Sequence, residues 1–70
     1  MAEIRAEMVA NVWKVLVSEG DQVDDGDTLV ILESMKMEIP VLAESAGTVT
    51  KLHVAEGDVV QEDELIAEIG

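Results

Sequence analysis

The sequence predicts an all-β fold, a flattened β-barrel or sandwich of two antiparallel sheets related by a pseudo-twofold axis. Three observations lead to this prediction. The chain contains an internal repeat, the repeated segments are rich in valine and leucine, and each contains a glycine turn. In addition, no window has apolar residues at i, i+3, i+4 and i+7 between capping residues, the pattern that an amphipathic helix requires.

The repeat relates residues 12–23 (VWKVLVSEGDQV) to residues 49–60 (VTKLHVAEGDVV) without a gap. Deletion of Thr28 then brings Leu29 opposite Leu65 and extends the match to the C-terminus. A chain of 70 residues forms one small domain. We therefore expect a single domain over residues 1–70, with residues 1–8 as a partly flexible lead-in.

Each copy is predicted to form a strand, a turn and a second strand. The first strands cover residues 12–17 and 49–54, and each is followed by Glu-Gly-Asp, in which glycine is free to adopt a positive φ. In the first copy, a second turn at residues 24–27 leads to an apolar strand at Leu29–Leu32. The matching strand of the second copy is Leu65–Ile69.

A tight hairpin is predicted between the strands Leu29–Glu33 and Glu38–Leu42, with Lys36 at its tip. Pro40 has no N–H to donate, so its strand should lie at a sheet edge or contain a bulge. The counterpart of the Lys36 segment in the second copy would follow Ile69, where the chain ends. We therefore expect Lys36 and the chain termini at opposite ends of the molecule.

The composition excludes several functions. A net charge of −12 argues against binding to nucleic acid or to anionic membranes. The absence of cysteine excludes disulfides, thiolate metal sites and cysteine nucleophiles, and it suits a cytoplasmic protein. No nucleophile–base pair, metal cluster or phosphate loop is apparent, so we do not expect an enzyme.

Three further features have ordinary structural interpretations. The acidic segment 21–27 lacks the EF-hand spacing, because Val23 and Leu32 occupy ligand positions, and its acids are predicted to be solvated turn residues. His53 is expected on a strand, at or near the surface. Trp13, the only aromatic residue, is predicted to pack in the core, with a partner contact as the alternative.

Lys36 lies between Met35 and Met37 in a strongly acidic chain. One interpretation is a solvated lysine whose methionine neighbours fill the edge of the core. The other is a lysine presented for modification, because exposed methionines occur at adaptable binding surfaces. The neutral lysine amine is a nucleophile suited to amide formation.

The segment Glu-Ser-Met-Lys-Met-Glu (residues 33–38), the two Glu-Gly-Asp turns and Ser-Ala-Gly-Thr-Val (residues 45–49) resemble the biotinyl/lipoyl attachment domain. More narrowly, they resemble the biotin carboxyl carrier branch of biotin-dependent carboxylases, from about Met8 to Gly70. Met-Lys-Met is the part that distinguishes biotinyl from lipoyl domains. Ser34 departs from the family, which commonly has alanine or valine there.

The resemblance implies that a biotin protein ligase attaches biotin to Lys36. It also implies that Met35 and Met37 are recognised by the ligase and by carboxylase partners. The structural turn glycines implied by the family are Gly20, Gly47 and Gly57.

The implied function is that of a non-catalytic, monomeric biotin carrier. Biotin on Lys36 would move a carboxyl group from a biotin carboxylase subunit to a carboxyltransferase subunit. A lipoyl carrier and an unmodified interaction domain remain as alternatives. The chain is either free-standing or cut from a larger protein, and its start at Met1 and compact end at Ile69-Gly70 favour the first.

Overall fold

The computed structural model describes residues 2–70, which form eight β-strands and no helix. Sheet 1 has the strand order β1-β8-β6-β3, sheet 2 has the order β5-β4-β2-β7, and every pairing is antiparallel. The two sheets form a sandwich rather than a closed barrel, which confirms the predicted fold class. The strands are β1 (Ala2–Arg5), β2 (Ala10–Val15), β3 (Gln22–Val23), β4 (Thr28–Ser34), β5 (Met37–Leu42), β6 (Gly47–Leu52), β7 (Val59–Val60) and β8 (Leu65–Ile69).

The core between the sheets is wholly aliphatic, and none of its buried side chains is polar within residues 2–70. Buried and exposed residues alternate from Ala10 to Trp13 in β2, as expected for a strand with one buried face, and a bulge between Val12 and Lys14 then interrupts the alternation. Such a core suits a small domain, because every buried side chain adds apolar area without a polar group to satisfy. The largest fully buried side chains are Leu29, Leu32, Ile66, Ile69, Val12, Val30, Val49 and Val60.

The pseudo-twofold axis is visible in the hydrogen bonds. The Gly20 N–H donates to the Val49 carbonyl at 2.8 Å, and the Gly57 N–H donates to the Val12 carbonyl at 2.9 Å. The pseudo-twofold axis relates residues 12 and 20 to residues 49 and 57, and it converts each of these bonds into the other. The same exchange relates most of the turn hydrogen bonds, so the two halves of the sandwich share one backbone design.

The predicted deletion of Thr28 is wrong. Thr28 begins β4 as Leu65 begins β8, and the pattern of buried and half-buried residues agrees position by position from there. The Leu16 N–H donates to Leu29 just as the His53 N–H donates to Ile66. The repeat therefore runs without a gap, and sequence identity misaligned it because leucine and isoleucine interchange freely in a core strand.

Carboxylates of the turns cap the backbone. Asp21 and Asp27 accept hydrogen bonds from the N–H groups of Ser18 and Asp24, at 2.9 and 2.8 Å. Asp58 and Glu64 do the same in the second half, each bonding the N–H three residues earlier. These acids therefore have a defined local role, because each accepts a backbone N–H within its own turn.

The glycines have different structural roles. Gly20 and Gly57 have φ angles of +95° and +93°, which favour glycine and fit the predicted turns. Gly47 instead begins β6 and lies against the C-terminus, where a Cβ atom would come within 2.8 Å of the Gly70 carbonyl oxygen. Gly47 is needed for a close backbone approach rather than for a turn.

Residues 2–5, in the segment expected to be a partly flexible lead-in, form β1 and pair with β8. The flexibility of residues 1–8 stays a prediction.

Pro40 lies in β5, at the edge of sheet 2, as its missing N–H predicts. The prediction that Trp13 packs in the core is wrong, because its side chain is 42% exposed and the aliphatic residues fill the core without it.

The Lys36 hairpin and the chain termini lie at opposite ends of the sandwich. β2 begins beside the hairpin, where Asn11 pairs with Glu33, and runs away from it. At the other end β3 pairs with β6, and there the Thr48 N–H donates to the Gly70 carbonyl. β1 lies beside β8, where Ala2 pairs with Ile69, so Ala2 and Gly70 lie together at this second end.

Candidate functional site: the Lys36 hairpin

The tip of the β4–β5 hairpin is a two-residue turn. Ser34 pairs with Met37 as the last rung of the ladder, which leaves Met35 and Lys36 as the central residues. Their φ angles are +53° and +65°. Two positive φ angles are the mark of a type I′ turn, whose twist matches that of the flanking strands. The turn therefore places Lys36 at the end of the hairpin, beyond the last paired residues of sheet 2.

The residues in this turn are unusual for its geometry. Type I′ turns favour Asn-Gly, because other residues at positive φ incur a steric cost of roughly 1–2 kcal/mol each. Here both central positions carry long side chains, Met35 and Lys36. The paired strands hold the backbone in this conformation. Such a departure from the residues that a turn prefers is most often found at functional sites.

The tip is exposed to solvent. The side chains of Met35 and Met37 are 92% and 63% exposed, and Lys36 is exposed as well. The methionines therefore do not fill the edge of the core. An exposed lysine flanked by two flexible apolar side chains is a compact recognition element that a partner can enclose.

The amine of Lys36 is free for chemistry. Among residues 2–70, Arg5 forms an ion pair with Glu3 and the His53 imidazole contacts the Glu68 carboxylate, both at 2.9 Å, and neither contact involves Lys36. No group of three or more potential metal ligands occurs in this described part of the chain. The arrangement can thus present a nucleophilic amine at the tip of the hairpin.

The other candidates lie away from the tip. His53 directly follows β6, so the prediction that it lies on a strand is wrong by one residue; it is exposed, and its Nε2 atom lies 2.9 Å from Glu68 on the outer face of sheet 1. Trp13 lies on the outer face of sheet 2, with the Lys14 amine 5.5 Å from its ring centroid. The alternative prediction for Trp13 is a contact with a partner. The exposure of its side chain is compatible with that alternative. The polar Thr50 at the matching position of the repeat was the signal that position 13 faces outward.

Comparisons with known proteins identify the family. The family described as "Biotin-requiring enzyme" matches residues 2–69. The chain belongs to this biotin/lipoyl attachment family. It is 64% identical to the biotinylated protein TB7.3 homolog of Mycobacterium leprae, over 99% of both chains. It is 44% identical to the biotin/lipoyl attachment protein of Bacillus subtilis, over 94% of this chain and 90% of that protein.

The fold has a close match among solved structures. The urea carboxylase of Kluyveromyces lactis superposes with a TM-score of 0.92 and 35% identity, over 99% of this chain and 6% of that one. The chain is thus homologous to a small part of a much longer carboxylase. Its residues suit the cofactor of a biotin-requiring family, because an exposed, unpaired lysine amine is the group that a biotin carboxylate can acylate. No helix within residues 2–70 is long and apolar enough to cross a membrane.

Proposed function

We propose that this chain is a biotin carrier, in which biotin is joined by an amide bond to the Nζ atom of Lys36. The observation that carries the proposal is the exposed type I′ turn, which presents a lysine that has no ion pair within residues 2–70, between two exposed methionines. When bound, biotin supplies a nitrogen that can carry a carboxyl group between a biotin carboxylase site and a carboxyltransferase site.

The residues of this chain would act as a handle and a spacer. Met35 and Met37 offer flexible apolar contacts to the biotin protein ligase and to the carboxylase subunits. The paired strands β4 and β5 hold Lys36 away from the rest of the surface. A tethered group has a high effective concentration at each site that its tether can reach. Neither role requires catalysis by this chain, so we propose a monomeric, non-catalytic component.

The test is co-expression of the chain with a biotin protein ligase, followed by intact-mass analysis. The expected result is a mass increase of one biotinyl group in the wild type and none in Lys36→Arg. A mass increase of one lipoyl group would favour the lipoyl alternative instead. A folded but unmodified wild type, with a ligase that modifies a control substrate, would overturn the proposal.

A further inference from the structure

The large hydrophobic side chains exposed within residues 2–70 are distributed unequally between the two halves of the sandwich. All of them lie in sheet 2, in the Lys36 turn, or in the chain directly before or after β2. None lies on the strands of sheet 1. The residues are Met8, Val9, Trp13, Leu16, Met35, Met37, Leu42 and Val59.

The pseudo-twofold axis provides an internal comparison. Because both halves share one backbone design, a residue that the fold alone requires should have a similar counterpart. The counterparts of the exposed hydrophobic residues are instead smaller or polar. The pairs are Met8 and Ser45, Val9 and Ala46, Trp13 and Thr50, Leu16 and His53, Leu42 and Arg5, and Val59 and Gln22, while Met35 and Met37 have no counterpart.

The contrast is sharpest on the two outer faces. On sheet 1, the backbone carbonyl of Glu68 accepts a hydrogen bond from the Thr50 hydroxyl at 3.1 Å. Its carboxylate pairs with His53 at 2.9 Å. This polar cluster is well suited to water. The corresponding residues of sheet 2 are Ile31, Trp13 and Leu16.

These residues form an apolar surface on sheet 2, which we call the Trp13 patch: Trp13, Leu16, Ile31 and Pro40. Ile31 pairs with Pro40 on one side and with Lys14 on the other, so the patch crosses three strands. Trp13 and Leu16 are 42% and 53% exposed. Lys14, which pairs with Ile31 and has its amine 5.5 Å from the Trp13 ring centroid, adds one positive charge within this surface. Exposed apolar residues on this face, where the matching face carries polar ones, indicate a binding site. Tryptophan is also enriched among the residues that dominate interface energetics.

The surroundings of the patch indicate the chemistry of its partner. Glu33 and Glu38 lie beyond it toward the Lys36 turn, and the Glu56 carboxylate bonds the Val15 N–H beside it. The whole chain carries a net charge of −12, so a second copy would be repelled. The complementary surface has an apolar centre bordered by lysine and arginine side chains.

We propose that the Trp13 patch is the docking surface for the biotin carboxylase subunit. The subunit would contribute an apolar surface bordered by basic residues. This rests on the proposed function, which supplies the identity of the partner. Lys36 follows Ile31 by five residues along the hairpin, a span of roughly 15 Å at the rise of a β-strand. A partner that holds the patch therefore leaves the tip free to extend into a separate active site. The ligase, by contrast, must enclose the tip itself.

The first measurement is a titration of the ¹⁵N-labelled chain with the purified biotin carboxylase subunit. Trp13 is the only tryptophan, so its indole N–H gives a single resonance, and its fluorescence reports burial directly. The titration uses both the wild type and Lys36→Arg, which cannot be biotinylated. We expect shifts at Trp13, Leu16 and Ile31 in both proteins. Shifts confined to the tip or to sheet 1, or no shifts, would overturn the proposal.

The second measurement uses Trp13→Thr/Leu16→His, which gives sheet 2 the residues that sheet 1 already accommodates. His53→Ala, on the opposite face, is the matched control. We expect the biotinylated double variant to raise the KM of the biotin carboxylase for the carrier at least about tenfold, the effect of losing an anchoring aromatic residue. Loading by the ligase should stay within about twofold of wild type, and the control should change neither quantity.

The outcomes separate this inference from the proposed function. An unchanged KM in a folded double variant overturns the docking proposal and leaves the carrier function intact. Failure of the wild type to accept biotin overturns the carrier function, while the titration of Lys36→Arg still decides whether the patch binds the subunit. A loss of ligase loading in the double variant would assign the patch to the ligase and contradict the proposal.

Discussion

Glu33 lies directly opposite Glu38 across the β4–β5 ladder, one rung below Ser34 and Met37. Both side chains are exposed, so two like charges face each other at the base of the Lys36 turn. Directly opposed like charges destabilise an antiparallel pair. The pair therefore adds negative charge beside the proposed attachment site at some cost in stability.

Replacement of Glu38 by glutamine should stabilise the domain. Removal of one charge relieves the repulsion, which we expect to raise the free energy of unfolding by roughly 0.2–1 kcal/mol at low salt. Urea denaturation measures the change. The gain should shrink in high salt, because surface charges are screened. Glu62→Gln, an exposed turn residue, is the control, and an equal gain there would mean that net charge alone is responsible.

The Lys36 turn should become more stable with the residues that type I′ turns prefer. Met35→Asn/Lys36→Gly relieves two positive φ angles, and we expect a gain of roughly 1–2 kcal/mol in the free energy of unfolding. Thermal denaturation would detect this gain as a rise in Tm. Met37→Asn, at a position without positive φ, is the control. A double variant no more stable than wild type would mean that the turn carries no strain.

Gly47→Ala should destabilise the sandwich at the terminal end. The added Cβ would lie 2.8 Å from both the Gly70 carbonyl oxygen and the Ile69 Cγ2 atom. Overpacking of this kind costs typically about 1–3 kcal/mol. Chemical denaturation measures the loss, with the exposed Ser45→Ala as the control. If Gly47→Ala retains wild-type stability, the C-terminal residues must be able to move aside.

Two glutamates each link the two halves of the sandwich through a hydrogen bond. Their replacement should lower the free energy of unfolding by similar amounts. The Glu19 carboxylate accepts the Leu52 N–H at 3.0 Å, and the Glu56 carboxylate accepts the Val15 N–H at 3.2 Å. Glu19→Ala and Glu56→Ala should each lower the free energy of unfolding by about 1 kcal/mol. Glutamine keeps an acceptor oxygen, so Glu19→Gln should lose less. Equal losses for alanine and glutamine would assign the effect to charge instead of the hydrogen bond.

The sequence predicted the fold because its signals were local. Valine-rich strands, glycine turns and the repeat determined the two sheets, and Pro40 correctly marked an edge strand. The tip was predictable because Met35, Lys36 and Met37 form one contiguous motif. Local signals of this kind act through backbone preference, which depends little on the rest of the molecule.

Features that depend on packing were harder to predict. Trp13 was expected in the core because it is large, but the aliphatic side chains already fill the space between the sheets. The deletion at Thr28 seemed necessary because identity, rather than burial, guided the alignment. Gly47 looked like a turn residue, although the approach of Gly70 explains it. Each error concerns a contact between residues that are distant in sequence or an outward face that the pattern alone does not define.

The backbone of this domain is close to a closed ring. Ala2 pairs with Ile69, so the two ends of the described chain already lie side by side in adjacent strands, as if joined by a hairpin loop that has been opened. A short linker between them would complete a cyclic path, and a new opening at an exposed turn such as residues 55–58 would give a circular permutant. The position of Lys36 would be unaltered in that permutant. The same juxtaposition allows the domain to be inserted within a loop of another protein while the distance between the flanking segments stays short.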